Sequence, residues 1–298
     1  MKATTNLKTL MLRQTAMLVP GVPNALLARI VDQLGYEAVY VTGAGISNMH
    51  LGAPDVGLTT VTEVAEITAA IADATDLPLI VDADTGFGNS VNVVRTVRLL
   101  ERAGACGIQL EDQVFPKRCG HFSGKEVIST DQMVQKIKAA VDPRRDGDLQ
   151  IIARTDARAV ESMESALERA QAYIEAGADA TFVEAPTSLA ELRLIPASLS
   201  VPQFANIVHG GKTPEPGHKA LAEMGFSIVL YANAALQAAI HGAHNALQIL
   251  KEDGRLDRAA PGLTGFDERQ RVVGKHDWDA LEDRYRIKAS AADFSGAA

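Results

Sequence analysis

The chain has 298 residues, of which 47% are hydrophobic and 22% are charged, and its formal net charge is −8. This length suits one large globular domain, and the acidic balance argues against binding to a nucleic-acid backbone. The two cysteines, Cys106 and Cys119, indicate no disulfide framework and favour a reducing, cytoplasmic compartment. A membrane location is not expected, because no apolar run approaches roughly 20 residues and the N-terminal segment lacks the apolar core of a signal peptide.

Short apolar runs recur along the chain, and each is followed by a polar residue or glycine and then by a helical pattern. The runs are rich in Val, Ile, Leu and Phe without strict alternation, which is typical of parallel strands buried on both faces. The candidate strands are Ala16–Pro20, Ala38–Gly43, Leu77–Asp82, Gly107–Glu111, Gln150–Thr155, Ala180–Glu184, Pro202–Ile207 and Ser227–Tyr231. Helical spacing is found in Asn24–Leu34, Val61–Ala74, Asn92–Ala103, Thr130–Val141 and Met163–Ala176.

Strands that alternate with helices predict an α/β fold, a (β/α)8 TIM barrel over about residues 16–252. A doubly wound sheet is the alternative, but no G-x-G-x-x-G follows the first strand. A long helix, Asn233–Glu252, and a polar helix, Phe266–Arg286, follow the last strand, the second within an extension at about 260–286. The tail 287–298 is predicted to be disordered. We expect one domain over residues 1–298, with the extra helix packed against another subunit.

Carboxylates follow two neighbouring strands at the barrel end that carries active sites. Asp82 and Asp84 are two residues apart and therefore project to the same face, and Glu111 ends the next strand. Adjacent buried carboxylates require either a proton or a cation between them. Oxygen ligands without a nearby His/Cys cluster favour Mg²⁺, with Mn²⁺ also possible, partly bound through water. The alternative is a surface Asp-x-Asp turn.

Two further strand ends suit an anionic ligand. Arg154 emerges from an apolar strand, so its guanidinium must meet an anion, either a bound carboxylate or Glu184 at the next strand end. The Thr42-Gly43-Ala44 turn offers backbone N–H groups and a hydroxyl, as a carboxylate cradle would. The sequence alone does not identify the anion that either of these two groups binds.

The sequence Lys117-Arg118-Cys119-Gly120-His121 surrounds one cysteine with cationic side chains. Nearby positive charge favours the thiolate form of a cysteine. The pentapeptide therefore predicts a reactive thiol on a mobile loop above the acidic site. The alternative is a solvated basic loop with an incidental cysteine.

These motifs resemble the isocitrate lyase/phosphoenolpyruvate mutase superfamily, and within it the methylisocitrate lyase and 2,3-dimethylmalate lyase branch. The pentapeptide at 117–121 and the Asp-Ala-Asp-x-Gly-Phe-Gly sequence at 82–88 are its most specific matches. Other resembling stretches are Tyr40–Gly45, Leu51–Asp55, Glu111–Gln113, Ala153–Ala157, Glu184-Ala185 and Ala205–Ile207. The resemblance implies a Mg²⁺-dependent barrel enzyme for a small carboxylate, and a homotetramer that exchanges its C-terminal helical region between subunits.

The resemblance also implies roles for individual residues. The implied metal shell comprises Asp82, Asp84, Glu111 and, nearby, Asp55. The implied substrate contacts are Thr42, Gly43, Ala44, Gly120, His121, Arg154 and Asn206. Cys119 is implied to be the acid that protonates the departing enolate.

The reaction implied is a carbon–carbon cleavage. A 2-hydroxy di- or tricarboxylate, of the 2-alkylmalate or 2-methylisocitrate type, would give a 2-oxo acid such as pyruvate and a carboxylate. Tyr40, or Glu184 through a water, is expected to take the hydroxyl proton. Gln237 falls near an arginine that holds the third carboxylate in related lyases, which favours a smaller diacid here. The alternative is an oxaloacetate hydrolase or decarboxylase on the same scaffold.

Overall fold

A closed parallel barrel forms the centre of the structure, a computed structural model that describes residues 2–118, 120, 124–257 and 262–287. Its strands are β1 (Met17–Val22), β2 (Val39–Val41), β3 (Leu79–Asp82), β4 (Ala105–Glu111), β5 (Gln150–Thr155), β6 (Ala180–Val183), β7 (Gln203–Asn206) and β8 (Ile228–Tyr231). Each strand pairs with the next along the chain, and β8 pairs with β1. The predicted (β/α)8 barrel is therefore confirmed.

Helices connect the strands and continue beyond the barrel. They are α1 (Ala3–Leu12), α2 (Ala25–Gln33), α3 (Gly43–His50), α4 (Val61–Ala72), α5 (Ser90–Arg102), α6 (Thr130–Val141), α7 (Ala157–Val160), α8 (Met163–Glu175), α9 (Leu189–Ser198), α10 (His218–Met224), α11 (Ala234–Asp253), α12 (Phe266–Val272) and α13 (Lys275–Tyr285). Side-chain caps fix several starts, as where Asn24 accepts from Leu27 N and Ser129 accepts from Gln132 N. Within the described residues, none of these helices has the length and apolar character needed to cross a membrane.

The barrel strands are buried on both faces, which explains their unbroken apolar sequences. All seven residues of β4 are buried, as are all six of β5. Side chains that point inward, such as Ile80 and Ile152, pack in one cluster, and those that point outward, such as Val81 and Ile151, pack in another. Polar strand residues are therefore notable wherever they occur, because each needs a buried partner.

Helix α1 was not anticipated from the sequence. Its Leu7, Leu10 and Met11 belong to the same buried cluster as the inward-facing strand residues. Thr5 and Lys8 on the same helix donate to Asp148, at 2.7 and 2.9 Å. The helix thus adds apolar surface to the barrel interior and is held by polar contacts just before β5.

Several predicted boundaries differ from the structure, and two of them have a clear local cause. The run Ala38–Gly43 was expected to be a strand throughout, but β2 ends at Val41 and α3 begins at Gly43 because Thr42 Oγ1 caps the helix by accepting from Gly45 N. The predicted helix Phe266–Arg286 is interrupted at Gly274, whose φ of +67° is a left-handed conformation that a helix cannot continue through. Neither the helix cap at Thr42 nor the left-handed conformation of Gly274 can be recognised from apolar periodicity.

The chain divides into two compact units, residues 1–241 and 242–298. The barrel lies in the first unit. In the second, α12 and α13 have no buried residues, and Trp278 and Tyr285 are exposed. The predicted exchange of this region between subunits stays a prediction, and the predicted disorder of 287–298 lies, apart from Ile287, outside the described residues.

Candidate active site

A cavity opens at the carboxyl ends of the barrel strands and gathers most of the predicted site residues. Among the residues that line it are Tyr40, Thr42, Ala44, Asp55, Asp82, Glu111, Gly120, Arg154, Glu184 and Asn206. Its remaining lining includes the cations Lys117 and Arg118 and an apolar wall of Phe182, Val208, Leu230 and Ala232. The site therefore combines charged groups with a surface suited to an alkyl substituent.

The N-terminus of α3 faces the acidic pair of β3. Gly43 N donates to Asp82 Oδ2 at 3.3 Å. A Cβ at Gly43 would lie 3.0 Å from Asp82 Oδ2 and 3.2 Å from Asp84 Oδ1, so a side chain here would crowd both carboxylates. Asp82 and Asp84 thus lie on the same side, as their spacing predicts, beside the electropositive end of a helix.

Lys117 is the close cationic partner of this acidic pair. Its ammonium lies 2.8 Å from Asp84 Oδ1 and also pairs with Asp55. Burial raises the pKa of Asp84 to about 7, and the charges of Asp82 and Asp55 add to this while Lys117 opposes it. Burial opposes ionisation of Lys117, but the surrounding carboxylates raise its pKa well above the usual range. The contact of Lys117 with these carboxylates was missed, because the sequence pattern indicated only a role beside Cys119.

Glu111 is buried at the end of β4 with half of its carboxylate unpaired. Its Oε2 lies 3.3 Å from Arg154 Nη1, and its Oε1 has no hydrogen-bond partner among the described residues. Burial raises the pKa of Glu111 well above its ordinary value, and the charges of Asp156 and Asp82 add to the effect. A buried carboxylate oxygen in this state would be stabilised by an added cation.

Arg154 is held mainly by Asp156, a partner that the sequence analysis did not consider. Arg154 Nε donates to Asp156 Oδ2 at 2.9 Å and Nη2 donates to Oδ1 at 3.1 Å, whereas Glu184 Oε2 lies 3.8 Å from Nε. Burial opposes ionisation, but Arg154 and Lys125 hold the pKa of Asp156 at about 2. This fork orients the guanidinium, which also lies over the ring of Phe182 at 5.3 Å.

Tyr40 is oriented from inside the barrel. Its hydroxyl donates to Gln109 Oε1 at 2.9 Å, and Gln109 Nε2 donates to Asp82 Oδ1 at 3.3 Å. Burial raises the pKa of Tyr40 well above its usual value, with the Asp82 charge adding to it. The Tyr40 hydroxyl is thus a hydrogen-bond donor within the barrel. Gln109 was missed, although a glutamine inside the apolar strand Gly107–Glu111 was an available signal.

Glu184 and Gly120 meet in the lining of the cavity. Asn206 Nδ2 lies 3.4 Å from each carboxylate oxygen of Glu184. A Cβ at Gly120 would lie 2.5 Å from Arg154 Nη2 and 2.6 Å from Glu184 Oε1. The backbone of Gly120 thus packs directly on two predicted catalytic side chains, an approach that only glycine permits without displacement.

Asp112 supports the site from outside the cavity. It follows Glu111 in the chain, and because successive strand residues point to opposite sides, it accepts from Thr155 Oγ1 at 2.7 Å, Tyr173 Oη at 2.8 Å and Asp156 N at 2.9 Å. It is fully buried. Asp112 therefore anchors the end of β5, where Arg154 and Asp156 lie.

Replacement of Tyr173 by Phe is expected to lower the free energy of unfolding by about 1–3 kcal/mol, because the buried Asp112 carboxylate loses a hydroxyl donor. Urea unfolding measures the change. Tyr36→Phe is the matched control, since the Tyr36 hydroxyl makes no hydrogen bond to a described residue and should change stability by less than about 0.5 kcal/mol. Equal effects of the two substitutions would contradict the anchoring role.

Not every predicted site residue lines the described cavity. Gly43 and Asp84 contact the lining residues Asp82 and Lys117 without lining the cavity themselves. Cys119 and His121 lie outside the described residues. Gln237 is exposed, does not line the cavity, and its side-chain amide lies 3.5 Å from the carbonyl of His209. The substrate contact inferred for Gln237 therefore has no support from the cavity lining and stays a prediction.

Comparison with known proteins shows the family of the chain. A model of the family described as phosphoenolpyruvate phosphomutase matches residues 7–251. The chain belongs to the phosphoenolpyruvate mutase family. It is 42% identical over 285 residues to the 2,3-dimethylmalate lyase of Eubacterium barkeri, covering 96% of this chain and 99% of that protein. It is 43% identical over 283 residues to the 2-methylisocitrate lyase of Aeropyrum pernix, covering 95% and 91%.

Solved structures of two enzymes about 30% identical to this chain share the fold. The structure of oxaloacetate acetylhydrolase with the inhibitor 3,3-difluorooxalacetate superposes with a TM-score of 0.91 at 33% identity, covering 97% of this chain and 99% of that one. A phosphonopyruvate hydrolase complex with oxalate and Mg²⁺ gives 0.86 at 29% identity, covering 96% and 99%. The predicted superfamily and the predicted class of enzyme, a carbon–carbon lyase, are confirmed.

Proposed function

We propose that this protein cleaves a 2-hydroxy dicarboxylate of the 2-alkylmalate type into a 2-oxo acid, such as pyruvate, and a carboxylate, with Mg²⁺ as cofactor. The observation that carries the proposal is the contact of Gly120 with Arg154 and Glu184. Gly120 directly follows Cys119 in the chain, so the predicted proton donor is adjacent in sequence to a residue packed on the carboxylate-binding site.

The residues fit a divalent cation. The cavity lining includes four carboxylates, Asp55, Asp82, Glu111 and Glu184, against three cations, although it must accept an anionic substrate. The unpaired Oε1 of Glu111 is a hard oxygen donor of the kind that Mg²⁺ prefers. No three Asp, Glu, His or Cys side chains close around one ion site within the described ranges. We therefore infer that Asp82, Asp84 and Glu111 hold the ion partly through water.

The cation, when bound, supplies Lewis-acid polarisation of the substrate oxygens. Arg154 and the N-terminus of α3 bind the carboxylate next to the reacting carbon, the guanidinium being pre-oriented by Asp156. Glu184 accepts the hydroxyl proton through a water, and Tyr40, kept protonated, acts as a hydrogen-bond donor rather than a base. The C2–C3 bond breaks to leave a 2-oxo acid, and the carbanion fragment takes its proton from the Cys119 thiol.

Two features favour a diacid over a tricarboxylate. The resemblance to related lyases implies an arginine near position 237, where Gln237 supplies no cation. Beyond the charged groups, the cavity presents Phe182, Val208 and Leu230, which suit an alkyl substituent better than a third carboxylate. The chain matches 2,3-dimethylmalate lyase and 2-methylisocitrate lyase at similar identity, so the preference for a diacid rests on the site residues.

Product identification by NMR tests the proposal. The protein is incubated with Mg²⁺ and, separately, 2-alkylmalates, 2-methylisocitrate and oxaloacetate. Pyruvate together with a monocarboxylate from a dialkylmalate is the expected result. Pyruvate with succinate from 2-methylisocitrate at an equal or higher rate would overturn the diacid preference while keeping the lyase assignment.

Oxaloacetate hydrolysis is the second candidate, because the oxaloacetate acetylhydrolase structure superposes with a TM-score of 0.91. Such an enzyme would release oxalate and acetate instead of pyruvate. Oxaloacetate decarboxylation would release pyruvate and CO₂. Turnover of oxaloacetate with no cleavage of any 2-hydroxy acid would replace the lyase proposal by one of these two.

The homotetramer is part of the same proposal. Exposed apolar side chains on α12 and α13, including Phe266, Trp278 and Tyr285, are the kind of surface that a subunit interface covers. A cytoplasmic location is likewise proposed from the cysteine content.

A further inference from the structure

Lys125 is a buried lysine whose ammonium has two acceptors from different parts of the chain. It donates to the carbonyl oxygen of Gly120 at 2.5 Å and to Asp156 Oδ1 at 2.5 Å. Its side chain is 2% exposed and that of Asp156 is fully buried. Burying an ammonium is costly unless it is paired and hydrogen-bonded, so these two contacts specify where the side chain lies.

The two acceptors both touch the predicted catalytic groups. Asp156 forms the fork that orients Arg154. Gly120 packs against Arg154 and Glu184 closely enough that a Cβ would clash with both. Lys125 therefore links Asp156, which orients the Arg154 guanidinium, to the backbone of Gly120, which packs on that guanidinium.

Among the described residues, backbone hydrogen bonds join the flanking segments but none involves Gly120. Gln113 pairs with Val127, and Val114 N donates to Glu126 O at 2.9 Å, which joins the two chain segments before and after residues 117–125. The Gln113 side chain also makes two hydrogen bonds to the backbone of Arg118. Its Nε2 donates to Arg118 O at 2.8 Å, and its Oε1 accepts from Arg118 N at 2.9 Å. Within the described residues, the Lys125 side chain donates to the Gly120 carbonyl.

We propose that Lys125 is a positioning residue that fixes Arg154 through Asp156 and holds the Gly120 carbonyl over the carboxylate-binding site. The inference rests on the proposed function, because it assigns Arg154 to the substrate carboxylate. Loss of the ammonium leaves Asp156 balanced by Arg154 alone and frees the Gly120 carbonyl. The guanidinium then samples orientations in which it no longer meets a bound carboxylate.

Calorimetric titration of the full-length protein with oxalate in MgCl₂ tests the assignment without requiring turnover. Oxalate presents a carboxylate with an oxygen on the neighbouring carbon, as a 2-oxo acid does. Lys125→Met is expected to raise the oxalate Kd about tenfold, and Lys125→Arg, which keeps donors for both acceptors, to stay within about threefold of wild type. An unchanged Kd in Lys125→Met overturns the proposal.

A double-mutant cycle separates positioning from general loss of structure. If Lys125 acts through Asp156, Lys125→Met adds little to the Kd increase already caused by Asp156→Asn. Fully additive effects overturn the proposal. If Lys125→Met does not fold, the same cycle is run with Lys125→Gln. Arg144→Met is the matched control, because it removes a partly buried cation paired with Asp179, remote from Gly120, and should leave the Kd unchanged.

The wild-type measurements distinguish failure of this inference from failure of the proposed function. Wild-type protein that binds oxalate with Mg²⁺ but cleaves no 2-hydroxy acid removes the lyase proposal and leaves the Lys125 test intact. Wild-type protein that binds neither oxalate nor pyruvate with Mg²⁺ overturns both. With an active enzyme, the KM of Lys125→Met should rise at least as much as kcat falls, since carboxylate binding is what Arg154 supplies.

Discussion

Asp82→Asn is expected to lower kcat/KM by about a thousandfold, measured at a Mg²⁺ concentration that saturates the wild-type enzyme. Asp82 lies at the end of β3, lines the cavity and accepts from Gly43 N and Gln109 Nε2. The amide keeps the size of the side chain but removes an anionic oxygen from a position where the proposed cation needs one. Initial rates of 2-oxo acid release against Mg²⁺ concentration give the measurement.

Metal removal supplies the companion result. Wild-type enzyme treated with EDTA should lose activity and regain it with Mg²⁺ or Mn²⁺, whereas Asp82→Asn should require a much higher concentration of either ion. Asp73→Asn is the control, because Asp73 is an exposed carboxylate at the end of α4. Wild-type rates in Asp82→Asn would remove this carboxylate from the proposed metal shell.

Gly120→Ala is expected to lower kcat/KM by about a hundredfold or more while the melting temperature changes by only a few degrees. The new Cβ would lie 2.5 Å from Arg154 Nη2 and 2.6 Å from Glu184 Oε1. Arg154 cannot easily yield, because Asp156 holds it by two hydrogen bonds, so either Gly120 withdraws or the guanidinium is displaced. A misplacement of about 1 Å at a catalytic group costs roughly a hundredfold in rate.

Steady-state kinetics together with thermal unfolding check this result. Gly147→Ala is the matched control, because nothing lies within 4 Å of the Cβ that it would add. It should have wild-type kinetics. An active Gly120→Ala enzyme would show that the close approach of Gly120 is not needed for the reaction, and a variant with a strongly lowered melting temperature would show that Gly120 serves folding instead.

The architecture and the position of the site could be predicted because they depend on local patterns. Apolar runs without alternation identify buried parallel strands, and a barrel places all of their carboxyl ends at one rim. Asp82, Glu111 and Arg154 were found in this way, since each directly ends such a run and each lines the cavity. Helix α1 and the early end of β2 were missed, because packing and a side-chain cap decide them rather than periodicity.

The partners of the charged groups were decided only by the tertiary structure. Lys117 and Asp55 are 62 positions apart, and Tyr40 and Gln109 are 69 apart. Lys125 and Asp156 meet across 31 positions. No spacing rule connects such residues, because closure of the barrel and the course of its loops bring them together. The sequence by itself therefore determined which residues reach the rim, and the folded chain determined which charges neutralise each other there, since a buried charge is stabilised only by a partner within contact distance.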